Sequence, residues 1–201
     1  MSEKPYYDDE RFQTSQDVEG ERRRRRRASK KGGGVLEFLI ILLVSFALVF
    51  GFVRPFVVEA FFIPSESMVP TLRVGDRVLV NKFIYRFTEP ARGDIIVFES
   101  VEGGNEDLIK RVVGVPGDRI SVRRGTLLVN GEPQKEPYLN KKFPDRSFSA
   151  PTTVPEDHVF VMGDNRANSR DSRFFGTVPE EKIEGEAFLR FWPLDRLGSL
   201  L

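Results

Sequence analysis

Two serines two residues apart, Ser65 and Ser67, lie between Pro64 and Pro70 in the run Ile63-Pro64-Ser65-Glu66-Ser67-Met68-Val69-Pro70-Thr71-Leu72. Each proline fixes its own φ and biases the residue before it toward extended geometry, so a stiff, non-helical segment is expected, able to hold a hydroxyl in one place. A serine that attacks a carbonyl needs a base for its proton and donors for the resulting oxyanion. Cysteine is absent, which removes thiol catalysis, disulfides and cysteine-ligated metal. The single histidine, His158, sits in the strand-like run Asp157-His158-Val159-Phe160-Val161-Met162, and the chain has no Gly-x-Ser-x-Gly elbow. A Ser-His-Asp triad is therefore not the expected arrangement.

Lysine is the next candidate for the base. At its ordinary pKa of about 10.4 it is protonated at neutral pH, but burial lowers that value by up to ~3–5 units. Lys110 stands within Leu108-Ile109-Lys110-Arg111-Val112-Val113. On a strand it shares a face with Leu108 and Val112, while Arg111 points the other way. A charge between apolar neighbours is costly unless it is neutral. The pattern fits equally well an edge-strand lysine that discourages aggregation. Nor does the chemistry alone choose between Ser65 and Ser67 as the attacking group.

The elements that must position these residues read as short strands. Phe56–Ile63, Asp76–Val80, Asp94–Phe98 and Leu108–Val113 are rich in β-branched or aromatic residues, and most are bounded by Gly, Pro or Asp, as strands are. Ile120–Arg123 and Leu127–Val129, with breaks at Gly125-Thr126 and Asn130-Gly131, suggest a hairpin. His158–Met162 and Ala187–Phe191 add two more strands, whereas polar Lys135–Pro155 reads as surface loop. No sustained helical periodicity follows residue 54, so the domain is expected to be mostly β.

Ahead of it, Leu36–Val53 is an 18-residue apolar stretch with Glu37 as its one charge. As a helix it spans roughly 27 Å, close to the hydrocarbon thickness of a bilayer. It is longer than a signal-peptide core, and no small-x-small pair follows, so an uncleaved single-pass anchor is expected. The whole-chain charge of +1 conceals an acidic segment over 1–21, with Lys4 and Arg11 against seven acids, and a basic one over 22–34, with six Arg and two Lys. Both read as a disordered tail. The Arg22–Arg27 run ahead of the apolar span places the N-terminus in the cytoplasm and the rest of the chain outside. Nothing in the domain itself reads as a nucleic-acid surface.

Three blocks, Ser67-Met68-Val69-Pro70-Thr71-Leu72, Leu108–Asp118 and Gly163–Arg173, resemble in order and spacing the type I signal peptidases, which are membrane-anchored Ser–Lys serine proteases. The resemblance covers roughly 57–192. It implies a catalytic core of coiled antiparallel sheets with a small second β domain, here minimal and expected over 119–157. The organisation is then a cytoplasmic tail at 1–34, an anchor at 35–53 and an extracytoplasmic catalytic domain at 54–201. It implies Ser67 as nucleophile, Lys110 as general base, and an oxyanion hole from the Ser65 hydroxyl and the Ser67 backbone N–H. Ser169 would orient the lysine, with Asp164–Arg111 and Asp171–Arg173 as supporting ion pairs, although the latter also reads as a surface pair in a Gly/Asn/Asp-rich turn. Phe61, Ile63, Met68, Leu72 and Ile109 would line apolar pockets for substrate. The implied partners are signal peptides of exported preproteins and the lipid bilayer, with no nucleic acid, metal or cofactor. An inactive membrane-tethered β scaffold and a self-cleaving Ser–Lys protease of the repressor type are the competing readings.

Overall fold

The computed structural model describes residues 34–53, 57–104, 106–139 and 145–201. Apart from Gly34, the tail expected over 1–34 lies outside the described residues. Residues 34–48 form a helix, α1, that continues into a π-helical turn at Val49–Val53. The 18 residues Gly34–Gly51 are long and apolar enough to cross a membrane by length and composition. Apolar side chains cover every face of α1, leaving no polar stripe to turn toward water.

The remainder is built of strands: β1 (Val58–Phe62), β2 (Arg77–Asn81), β3 (Ile95–Glu99), β4 (Asp107–Gly114), β5 (Arg119–Arg123) and β6 (Thr126–Val129). They are followed by β7 (Glu132–Pro133), β8 (Ser149–Thr153), β9 (His158–Met162), β10 (Val178–Pro179), β11 (Ile183–Trp192) and β12 (Gly198–Ser199). An eight-stranded sheet runs β1-β2-β11-β3-β4-β9-β10, with β12 on β11, and a four-stranded sheet runs β7-β6-β5-β8. Every pairing is antiparallel. The fold is mostly β, as the residue pattern implies.

The small sheet is spliced between β4 and β9, which pair with each other. Gly114 marks the departure point. A Cβ there would stand 2.7 Å from the Ile120 side chain and 3.2 Å from Phe160 Cβ, so only glycine lets the two sheets approach. Ile120, Val122, Leu127 and Val129 of the small sheet share a core with Phe160 and Met162 of the large one. The turns at Arg124-Gly125 and Asn130-Gly131 carry positive φ at both residues, the geometry of tight hairpins.

Two expectations are corrected. The segment 135–155 is not simply surface loop: β8 lies inside it, paired with β5, and Val154 is buried. Its Ser-Ala-Pro-Thr-Thr composition conceals a strand whose ladder comes from its neighbour rather than from apolar alternation. The strand expected at Ala187–Phe191 begins at Ile183, because a bulge at Gly185 breaks the alternation without breaking the pairing.

The two neighbours of β4 cover it unequally. β3 pairs β4 along Asp107–Arg111, but β9 pairs it only from Arg111 onward. On that side Asp107–Lys110 face no described strand. β1 is likewise an edge of the sheet.

Candidate active site

The serine-bearing segment leaves β1 and is braced at its root. The Ile63 N–H donates to the Asp76 carbonyl at 2.9 Å, and the Gly75 N–H returns to the Ile63 carbonyl at 3.0 Å. Between these anchors the chain turns tightly, with Val69 N–H on the Glu66 carbonyl and Leu72 N–H on that of Met68. Met68 and Leu72 are buried against Ile63 and Ile109. The turn thus hangs from the core by apolar side chains, with Ser65 exposed and Ser67 buried beneath it, their Oγ atoms 3.3 Å apart.

Lys110 is 4% exposed and lies opposite Ile96 in the β3–β4 pairing. Its Nζ stands 2.9 Å from Ser67 Oγ and donates to the Ile109 carbonyl at 2.9 Å. Burial lowers this amine to about 8, while the charge of Asp171 pulls in the opposite direction. A solvated lysine offers almost no free base near neutrality; this one is about half neutral near pH 8. With one proton donated to the Ile109 carbonyl, the lone pair of the neutral amine is free for the serine hydroxyl. Among the described residues, no cluster of His, Asp or Glu side chains is grouped as metal ligands.

The loop between β9 and the short helix α2 (Ser172–Phe175) packs behind the pair. Arg111, next to Lys110, points away from it and grips Asp164 through two bonds, Nε at 2.9 Å and Nη2 at 2.8 Å. Asp164 also accepts from Thr71 Oγ1 at 2.5 Å, tying this loop to the serine segment. Asp171 is fully buried and takes Gly163 N–H at 3.0 Å and Arg173 Nε at 2.8 Å. The surface reading of Asp171–Arg173 is therefore overturned: both side chains are buried, because Asp145, Ser147 and the Arg166 carbonyl satisfy the remaining guanidinium donors. Removing one member of such a pair strands a charge, at about 3–5 kcal/mol. Ser169 departs from expectation. Its Oγ is buried without a hydrogen-bond partner among the described residues, and it makes no bond to Lys110.

The five expected pocket residues come together in one cluster: Ile63, Met68, Leu72 and Ile109 are buried, and Phe61 packs half-exposed against them. His158 sits at the start of β9 with Nδ1 2.8 Å from the Glu156 carbonyl. Residue patterns gave no sign of Arg190 and Arg196, which donate to the Thr71 carbonyl, the first at 2.6 Å. Arg196 also holds buried Asp76 at 2.7 Å. The partners lie more than a hundred residues apart, so no local pattern could announce them. A separate acidic cleft, lined by Glu89, Arg92, Glu156, Asp157 and Glu180, shares no residue with this site.

The family described as "Signal peptidase, peptidase S26" matches residues 35–192. A signal peptidase I of Leptolyngbya laminosa is 50% identical over 155 residues, 74% of this chain and 75% of that one. A signal peptidase IB of Staphylococcus aureus is 38% identical over 176 residues, covering 79% and 90%. A crystal structure of a signal peptidase I from Enterococcus faecalis aligns with 49% of this chain and 97% of that one, at 34% identity and a TM-score of 0.42.

Proposed function

Since the chain belongs to the signal peptidase family, peptidase S26, we propose that it is a membrane-tethered serine endopeptidase that removes signal peptides from exported preproteins. Ser67 is the nucleophile and Lys110 its general base. The observation that carries this reading is the 2.9 Å approach of buried Lys110 Nζ to Ser67 Oγ.

The substrate lies extended along the open edge of Asp107–Lys110, where β4 outruns β9, and its backbone completes the hydrogen bonds of that edge. Neutral Lys110 takes the Ser67 proton as Oγ attacks the scissile carbonyl. The oxyanion is held by the Ser67 backbone N–H and the Ser65 hydroxyl, which already neighbours Ser67 Oγ. Collapse expels the amine of the mature protein, protonated by the Lys110 ammonium, and leaves an acyl group on Ser67. A water, deprotonated by Lys110, then releases the signal peptide. Arg111–Asp164 and Asp171–Arg173 hold the loop behind the pair, and 35–53 is the anchor. An inactive scaffold has no use for a desolvated amine aimed at a serine, and this geometry disfavours that alternative.

The test is cleavage of a purified preprotein by the full-length protein in detergent micelles, read by mass spectrometry of the products. One cut is expected, lost in Ser67→Ala and in Lys110→Met. Arginine at 110 should fail as well, since it keeps its proton. Turnover surviving in either single variant refutes the dyad.

A further inference from the structure

Glu136 and Tyr138 lie in the segment that follows β7, on the small sheet's side of the chain. That segment is polar and its neighbours Gln134, Lys135 and Pro137 are exposed, yet the Glu136 side chain is only 6% exposed. It faces Arg166, whose side chain is 2% exposed, and the two form a two-pronged ion pair. A buried pair of this kind persists only when its remaining donors and acceptors are satisfied. Here they are. Arg166 Nε donates to the Gly163 carbonyl at 3.0 Å, and Glu136 accepts the Tyr138 hydroxyl at 2.8 Å. The Tyr138 ring in turn lies under Arg111, with the guanidinium carbon 4.1 Å from the ring centre, a cation–π contact.

Two routes therefore run from this segment to the residues behind the dyad. Glu136 reaches the Gly163 carbonyl through Arg166. Tyr138 reaches Asp164 through Arg111. Gly163 and Asp164 precede Asn165, whose N–H holds the Ser67 carbonyl at 2.9 Å. We infer that Glu136 and Tyr138 are positioning residues of the peptidase, a buttress from the small sheet that fixes the 163–166 loop against Ser67. Neither touches Ser67 or Lys110; they act through Arg166 and Arg111. The inference rests on the Ser67–Lys110 reading and adds a role for the small sheet, which supplies no group to the chemistry itself.

A loose buttress lets the loop shift and water approach Lys110. The groups that face this amine are Ser67 from the serine segment, Ile96 from β3 and Asp171 from the loop. Hydration reduces the desolvation that keeps its proton weakly held, so the rise of activity with pH should move to higher pH.

The experiment compares Glu136→Gln, Tyr138→Phe and Tyr138→Leu with the unaltered full-length protein in micelles. The readouts are kcat, KM, the pH dependence of kcat/KM and thermal melting. Glu136→Gln and Tyr138→Leu are expected to lose roughly ten- to a hundredfold in kcat with KM within about twofold, and to shift the pH profile upward. Tyr138→Phe keeps the ring over Arg111 but removes the hydroxyl from Glu136, and should fall between the unaltered protein and Tyr138→Leu. Variants that melt earlier but keep kcat and the pH profile would overturn the inference and leave a purely structural role. So would Tyr138→Phe falling as far as Tyr138→Leu, since the ring would then not be the active part. If the unaltered protein shows no cleavage dependent on Ser67 and Lys110, it is the peptidase reading that fails, and the two failures are distinct.

Discussion

Asn165 donates its backbone N–H to the carbonyl oxygen of Ser67 at 2.9 Å. The two residues lie almost a hundred positions apart, and the bond joins main chain to main chain. The position of Ser67, the proposed nucleophile, is therefore set by the path of the 163–166 loop as much as by its own segment.

Gly163 shows how little room that path has. A Cβ there would stand 2.5 Å from the Ser67 carbonyl oxygen and 2.3 Å from Ser169 Oγ. Backbone cannot swing aside as a side-chain tip can. Gly163→Ala is expected to displace Ser67 and lower kcat by roughly tenfold to a hundredfold. Steady-state kinetics on a preprotein decides it, and an alanine variant at full kcat would show that the loop is not pressed against Ser67.

As the proposed base, Lys110 should set both activity and stability against pH. Its amine titrates at about 8 in the fold against 10.5 when solvated. Below about pH 8 the unfolded chain holds this proton more tightly, so the group opposes folding; the penalty is relieved as pH climbs from about 8 to about 10.5. A gap of that size corresponds to about 3 kcal/mol. Lys110→Met should thus abolish cleavage yet raise unfolding stability near pH 7 by up to about 3 kcal/mol, with the gain falling away between about pH 8 and about pH 10.5. Denaturant unfolding at the two pH values measures this. In the unaltered protein kcat/KM should rise with pH through a midpoint near 8, and a flat profile from about pH 6 to 10 would remove Lys110 as the base.

The apolar residues proposed to receive substrate side chains should limit what stands before the cut. Ile63, Met68, Leu72 and Ile109 are already packed together, with Phe61 on their margin. Overfilling a site walled by large residues costs about 1–3 kcal/mol, roughly tenfold or more in rate. Peptides with alanine one and three positions before the cut should be cleaved at least about tenfold faster than those with leucine or phenylalanine. Equal rates would detach these five residues from substrate recognition.

The anchor proposal carries a direction. With the basic run ahead of Gly34–Gly51, protease added outside sealed spheroplasts should digest the 54–201 domain and spare the tail. The reverse pattern would place the catalytic domain on the cytoplasmic side and end the assignment to exported preproteins.

Most strands were legible because short runs rich in β-branched and aromatic residues are bounded by turn residues, as at Ile95–Glu99 and His158–Met162. β8 was not, since Ser149–Thr153 carries no alternation and owes its extension to β5. At the site, prolines and apolar neighbours marked the Ser65–Ser67 segment and Lys110, but residue types alone left the two serines interchangeable. The supports were hidden more deeply. Arg166 and Glu136 are polar residues on polar segments, and only the approach of two remote stretches turns them inward. Ser169 shows the reverse case: the resemblance gave it a bond to Lys110 that this structure does not contain.

β11 enters the large sheet between β2 and β3, although it follows β10 in the chain. Until it emerges, the ladder exists as two unconnected halves. One half, β1-β2, bears the serine segment; the other, β3-β4-β9, bears Lys110 and the loop behind it. The proposed nucleophile and base thus sit on separate pieces of the ladder, joined by the closing strand. Ser67 and Lys110 come to share one continuous ladder only when that closing strand is in place.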